Sequence, residues 1–336
     1  MKKTCIAFIS ILAFGCTAQK EISNNLSKLS IDSQINEISE RRLRETLEVI
    51  ASDEMEGRMT GSEGQKKAAD YIVKYFEKEG INYPPKAKGW FQTVPKSFIK
   101  NRFGDSDNIW AFIEGSEKPE EIIVVSAHYD HIGTQKGNIF NGADDNGSGT
   151  VAVMEITRVF NEAKKKGHAP KRSILFLLVT AEEIGLFGSS YYAKNPLYPL
   201  ENTVANINID MIGRVDDLHT DNNYIYVIGA DRLSSDLHKI NEAVNKKYTQ
   251  LNLDYKYDDR NDPWQIYYRS DHYNFAKNGI PSVFFFNGVH PDYHQPTDTV
   301  DKIDFPAMTQ RTKLIFALAW ELANRSERIK VDRDGK

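Results

Sequence analysis

The stretch SILFLLVTAEEIGLFGS, residues 173–189, sets the terms for the chain around it. An unbroken apolar run of strand length, ILFLLV, points to a strand buried on both faces, the signature of a parallel sheet covered by helices. Two adjacent carboxylates, Glu182 and Glu183, follow directly. On an open surface such a pair is ordinary. At the carboxyl end of a buried strand it is costly unless a cation offsets the charge.

Working outward, the same alternation repeats. Apolar runs at 122–127 (IIVVSA), 203–210 (TVANINID), 224–229 (YIYVIG) and 282–287 (SVFFFN) are further strand candidates. Helical spacing of apolar residues appears from residue 36, through Ile38, Leu43, Leu47 and Ile50, and again over 64–79, 149–165, 186–194, 232–248 and 305–323. Strands alternating with helices predict an α/β fold, a three-layer α/β/α arrangement with a mostly parallel central sheet. In such sheets ligands gather at the carboxyl ends of the strands.

Those ends carry metal-type side chains. His128, Tyr129 and Asp130 follow IIVVSA, Glu182 and Glu183 follow SILFLLVT, and Asp210 follows TVANINI. The loop GVHPDYHQPTD after the last strand holds His290, Asp292, His294 and Asp298. Residues two apart on a strand share a face, which makes Asp130 a candidate partner for the His128 ring. Each residue alone has a bland explanation, such as helix capping or loop polarity. Four strand ends converging on one edge is harder to ascribe to chance. The loop GADDNGSGT (142–150) also fits a calcium-loop template with Glu155 at its last position. No helix is predicted before it, so a tight turn aiming an Asp inward is the better reading.

The 336 residues, 40% apolar and 11% aromatic, suffice for one large domain, expected at 36–328. A net charge of −4 with no basic stripe argues against nucleic acid as a partner. Residues 1–18 read as an export signal with a charged start and an apolar stretch. Both cysteines, Cys5 and Cys16, lie inside it, so no internal disulfide is expected beyond it. Cys16 sits in a lipobox-like context, predicting a lipoprotein cleaved before Cys16 and tethered to a membrane through an acyl group; ordinary cleavage just downstream is the alternative. Localisation would then be periplasmic, outer-membrane-anchored or extracellular. Residues 19–35 read as a flexible tether and 329–336 as a polar tail.

The segments AHYDHIG, NGADDNGSGT, TAEEIGLFGS, NIDMIGR and DYHQPTDT, with DEMEGRMTGSEGQKKAADYI upstream, resemble the di-zinc aminopeptidase family. That family also contains glutamate carboxypeptidase, glutaminyl cyclase and a non-catalytic receptor. The resemblance implies that His128 and Asp210 ligate one zinc, Glu183 and His294 the other, and Asp145 bridges them. Cobalt or manganese are substitute ions for such a donor set. It further implies that Glu182 is the general base, that Asp130 orients His128, and that the Asp145–Asn146 peptide bond is cis. His272 and His290 are rivals to His294. Asp271 resembles an acid of the family's substrate pocket, and Arg214, Tyr267 and Tyr268 either touch substrate or pack. Trp264 is expected to line the pocket wall or the core. The implied activity is removal of N-terminal residues from peptides. A one-zinc glutaminyl cyclase and an inactive binding module are the alternatives. Side-chain preference and oligomeric state are not legible.

Overall fold

A computed structural model describes residues 31–335. The proposed signal and most of the proposed tether lie outside the described residues. Among the described residues ten strands form: β1 (Phe91–Val94), β2 (Ser106–Ile113), β3 (Lys118–His128), β4 (Gly133–Gln135), β5 (Asn138–Phe140), β6 (Arg172–Val179), β7 (Thr203–Ile209), β8 (Tyr224–Ile228), β9 (Asn252–Asp254) and β10 (Ser282–Phe286). Eight α-helices accompany them among the described residues: α1 (Asp32–Ile35), α2 (Glu40–Ile50), α3 (Glu63–Lys78), α4 (Gly149–Lys165), α5 (Phe187–Lys194), α6 (Ser235–Tyr248), α7 (His272–Ala276) and α8 (Phe305–Asn324).

Eight strands make one sheet in the order β1-β2-β6-β3-β7-β10-β8-β9. Its centre, β6-β3-β7-β10, is parallel, as the unbroken apolar runs require. Toward the two sides, β2 runs antiparallel to both β1 and β6, and β8 runs antiparallel to β10 but parallel to β9. Pleat alternation divides the core between the faces. Ile123, Val125, Ile174, Phe176, Ile207 and Phe285 pack with α2, α3, α4, α6 and α8 on one face. Ile122, Val124, Leu175, Leu177 and Val179 pack toward α5 and α7 on the other. Register pairs His128 with Val179 and Ser126 with Asn208, so β3, β6 and β7 end together. The residues that follow them are therefore delivered to one edge.

Helix starts follow caps more than apolar spacing. Ser62 accepts the Gln65 N–H, starting α3 at Glu63, and Ser234 accepts the Leu237 N–H, starting α6 three residues after the expected 232. Strands β1, β2, β4, β5 and β9 were not expected. β2 opens on polar SDN before its apolar half and borrows its edge from β6. The chain already packs at Ile31, and Ile35 is buried within α1, so ordered packing begins before residue 36. The tail also packs: Ile329 is buried, and Asp332 accepts from the Ser235 N–H and hydroxyl.

The calcium-loop template fails at its last position. The Glu155 carboxylate is buried on α4, where it takes two hydrogen bonds from Arg158 and one from the Ser39 N–H at the start of α2. Glu155→Leu leaves Arg158 and that N–H without this partner in a dry site. It is expected to lower the unfolding free energy by about 3–5 kcal/mol, read as a lower urea midpoint.

Candidate metal centre

The turn at 142–148 is aimed from three sides. Arg58, fully buried, donates to the backbone carbonyls of Ile50, Tyr129, Asn141 and Gly142 at 2.7–2.9 Å. Burial lowers its guanidinium pKa to about 10, opposed by the field of Asp145, Asp298, Asp130 and Glu183. Gly142 has φ +53, and a Cβ there would lie 2.1 Å from the Asp145 carbonyl and 2.5 Å from the His131 ring, so only glycine fits. The Asp298 carboxylate accepts the N–H groups of Asp144 and Asp145 at 3.0–3.1 Å. Asn146 donates to the Ile209 carbonyl and accepts the Met211 N–H, gripping the chain on both sides of Asp210. The Asp145–Asn146 peptide bond is cis.

The structure brings His128, Asp145, Glu182, Glu183, Asp210 and His294 together, and adds His131. His128 Nε2 lies 3.4 Å from Asp210 Oδ1 and 3.5 Å from Asp145 Oδ1. His294 Nε2 lies 3.0 Å from Asp145 Oδ2 and 3.2 Å from Glu183 Oε2. One oxygen of Asp145 thus faces each set. Glu182 Oε2 stands 3.9 Å from His128 Nε2. The Asp210 carboxylate is fixed by a 2.7 Å hydrogen bond from the Ser270 hydroxyl.

Asp130 reaches His128 differently from expectation. The His128 ring meets the Asp130 backbone carbonyl at 3.1 Å, while the carboxylate lies 3.7 Å away. That carboxylate accepts instead from the Thr60 hydroxyl and the Glu182 N–H. His290 pairs with Asp144 at 3.1 Å, and His272 is buried against Phe284 and Tyr267, so neither rival joins the cluster. Arg214 pairs with Asp292 at 2.8 Å, and Tyr267 is buried. Asp271 is buried beside Ser189 with its second oxygen unpaired. Burial pushes its carboxyl up to about 7, offset in part by His128.

His131 is the residue that sequence reading passed over. Its Nδ1 sits 2.6 Å from Glu183 Oε1, on the side of that carboxylate opposite His294. The signal was present in AHYDHIG, where a second His follows three positions after the first. Strand alternation could not place it, because the chain turns after His128.

Electrostatically the cluster is overfull of acid. Burial raises the Glu182 carboxyl well above its ordinary range, opposed by His128 and reinforced by Asp210, Glu183 and Asp271. Burial likewise raises Asp145, with Glu183 adding to it. For His294 burial would lower the ring's pKa, but Asp145 and Glu183 hold it at about 10. The donor set fits divalent metal. Nitrogen and oxygen atoms each about 2.0–2.2 Å from a tetrahedral zinc lie roughly 3.3 Å from one another, the spacing found here. His294 Nε2 is buried near two carboxylates yet makes a hydrogen bond with neither. Two triads, His128–Asp145–Asp210 and His131–Asp145–Glu183, each place one atom per residue within reach of a common ion.

A profile of peptidase family M28 matches residues 108–319. A probable leucine aminopeptidase of Arthroderma otae is 34% identical over 224 residues, covering 64% of this chain and 57% of the relative's length. The chain thus spans a little over half of that relative. The LapA aminopeptidase of Legionella pneumophila superposes with a TM-score of 0.66 at 23% identity, over 97% of this chain and 79% of that one. BSAP, a zinc aminopeptidase from Bacillus subtilis, gives 0.65 at 18% identity, over 88% and 99%. At these identities the structural likeness establishes the fold.

Asp298 touches none of the acids' facing oxygens but holds the backbone that presents Asp145. Asp298→Ala is expected to weaken zinc retention about 10–100-fold, measured by competition with a chromophoric chelator. Unchanged affinity would show that the turn holds its shape without that carboxylate.

Proposed function

Because this chain belongs to peptidase family M28, we propose that it is an exported zinc aminopeptidase working with two ions. In this reading His128 and Asp210 would hold one zinc, Glu183 and His294 the other, and Asp145 would be common to both. The observation that supports it is the division of Asp145, Oδ1 at 3.5 Å from His128 and Oδ2 at 3.0 Å from His294. A one-ion cyclase site would not need an acid shared in this way.

Zinc bound there would supply Lewis acidity toward a carbonyl oxygen and acidify a water. The chain's own residues do the rest. Glu182, one position from Glu183, has its Oε2 toward the cluster, where it takes the proton of the attacking water and passes it to the leaving amine. Its buried, acid-crowded surroundings raise its proton affinity, which suits a group that must accept a proton and then release it. Asp130 fixes the His128 ring through its carbonyl and steadies Glu182 by accepting its N–H. Met211, Phe284 and Phe286 wall the inner cavity, an apolar place for the first side chain of a peptide. Export and an acyl anchor at Cys16 belong to the same proposal and rest on the sequence.

Glu182→Gln is expected to keep its zinc while turnover of an aminoacyl-anilide falls about 10²–10⁴-fold. Wild-type turnover by that variant would remove Glu182 from the role of base. Asp145→Ala is expected to lower occupancy at both positions, read by elemental analysis. A variant that retains about two equivalents of zinc would contradict the shared role.

A further inference from the structure

Two cavities meet at the candidate centre. The inner one, about 50 Å³, is bounded by Asp145, Glu182, Glu183 and Asp210. The outer one, about 520 Å³, opens beyond it. Ile266, Arg269, Val289 and Tyr293 line both, so one space continues into the other. Leu218, Tyr257 and Trp264, the last 68% exposed, complete an apolar wall. Arg269 and Lys256 also line this outer cavity, and no acid does.

The charge accounting around this chamber is uneven. Asp254 pairs with His219, Asp258 with Arg232, and Asp292 with Arg214 and Lys302. Asp262 accepts the N–H groups of Trp264 and Ile266. Each of these acids thus has partners other than Arg269 and Lys256, and the acids that share a cavity with Arg269 are those of the inner one. Among the described residues neither Arg269 nor Lys256 has a carboxylate partner. Two cations without an ion-pair partner on an apolar wall suit a ligand with an apolar body and a carboxylate.

We propose that the outer chamber is a subsite for a carboxylate carried by the substrate, held by Arg269 with Lys256 adding to the field. The planar guanidinium fork matches a carboxylate with two parallel hydrogen bonds. Because Arg269 also borders the inner cavity, the carboxylate belongs to a residue flanking the cleaved bond. Two sources have that chemistry: the free C-terminus of a dipeptide, and the acidic side chain of an N-terminal Asp or Glu. The choice of peptides as ligand rests on the aminopeptidase reading; the carboxylate preference rests on the chamber.

The test uses zinc-reconstituted wild type and Arg269→Gln with two matched pairs, Leu-Phe against Leu-Phe amide, and glutamyl-anilide against glutaminyl-anilide. In wild type the acid member of one pair is expected to be favoured about tenfold in kcat/KM, mainly through KM. That ratio should fall toward one in Arg269→Gln and shrink with added salt. The pair that responds names the source. Trp264 fluorescence, titrated with the same four compounds, should rank their binding alike without any turnover. Ratios near one in wild type for both pairs, or ratios that survive Arg269→Gln, would overturn the subsite. Failure to hydrolyse any of the four compounds, with fluorescence still favouring the acid, would overturn the peptidase reading and leave the subsite standing.

Discussion

The Asp145 carboxylate, offering one oxygen to each of two side-chain sets, is the constraint on which the rest of the site depends. A carboxylate buried next to Glu183 is unfavourable by itself, and its proton affinity rises accordingly. It is kept in place by hydrogen bonds to the backbone around it. Arg58 gathers carbonyls from four backbone positions, Asp298 takes two consecutive N–H groups, and Asn146 holds the backbone on either side of Asp210. The same turn therefore sets both Asp145 and Asp210, two acids 65 residues apart in the hydrogen-bonded frame of Asn146 and Met211.

The sheet supplies the convergence. Parallel neighbours β6, β3 and β7 end level with one another, and each is followed within a few residues by a group of the cluster. The helical layer on one face is apolar and extensive, while the other face carries shorter helices. Core and chemistry are thus separated. Stability resides in the strands and their helices, and the site occupies loops at the strand ends, where side chains can be exchanged at less cost to the core.

Much of this was legible in the sequence because it was carried by strong local patterns. The runs at 122–127, 174–179 and 203–209 could be little other than buried strands, and their endings pointed to one edge. The helix over Gly149–Lys165 is where the spacing placed it. The family resemblance then separated His294 from His290 and His272, a choice that neighbouring residues alone left open. What escaped was set by tertiary contacts. β2 is a strand because β6 offers it an edge, and its polar opening hid it. At the C-terminal end the single buried Ile329 carries no periodicity, and at the other end Ile31 and Ile35, in step with Ile38, lie within a polar stretch. His131 joins Glu183 only after a change of chain direction that strand alternation does not encode. For the same reason the backbone of Asp130, and not its side chain, is what meets the His128 ring most closely.

Diffraction data collected on zinc-loaded crystals on both sides of the zinc absorption edge would test the shared-acid account most directly. Two anomalous peaks about 3.5–4 Å apart, one on each side of the Asp145 carboxylate, are the result it predicts. A single peak, or a pair that leaves Asp145 uncoordinated, would contradict it.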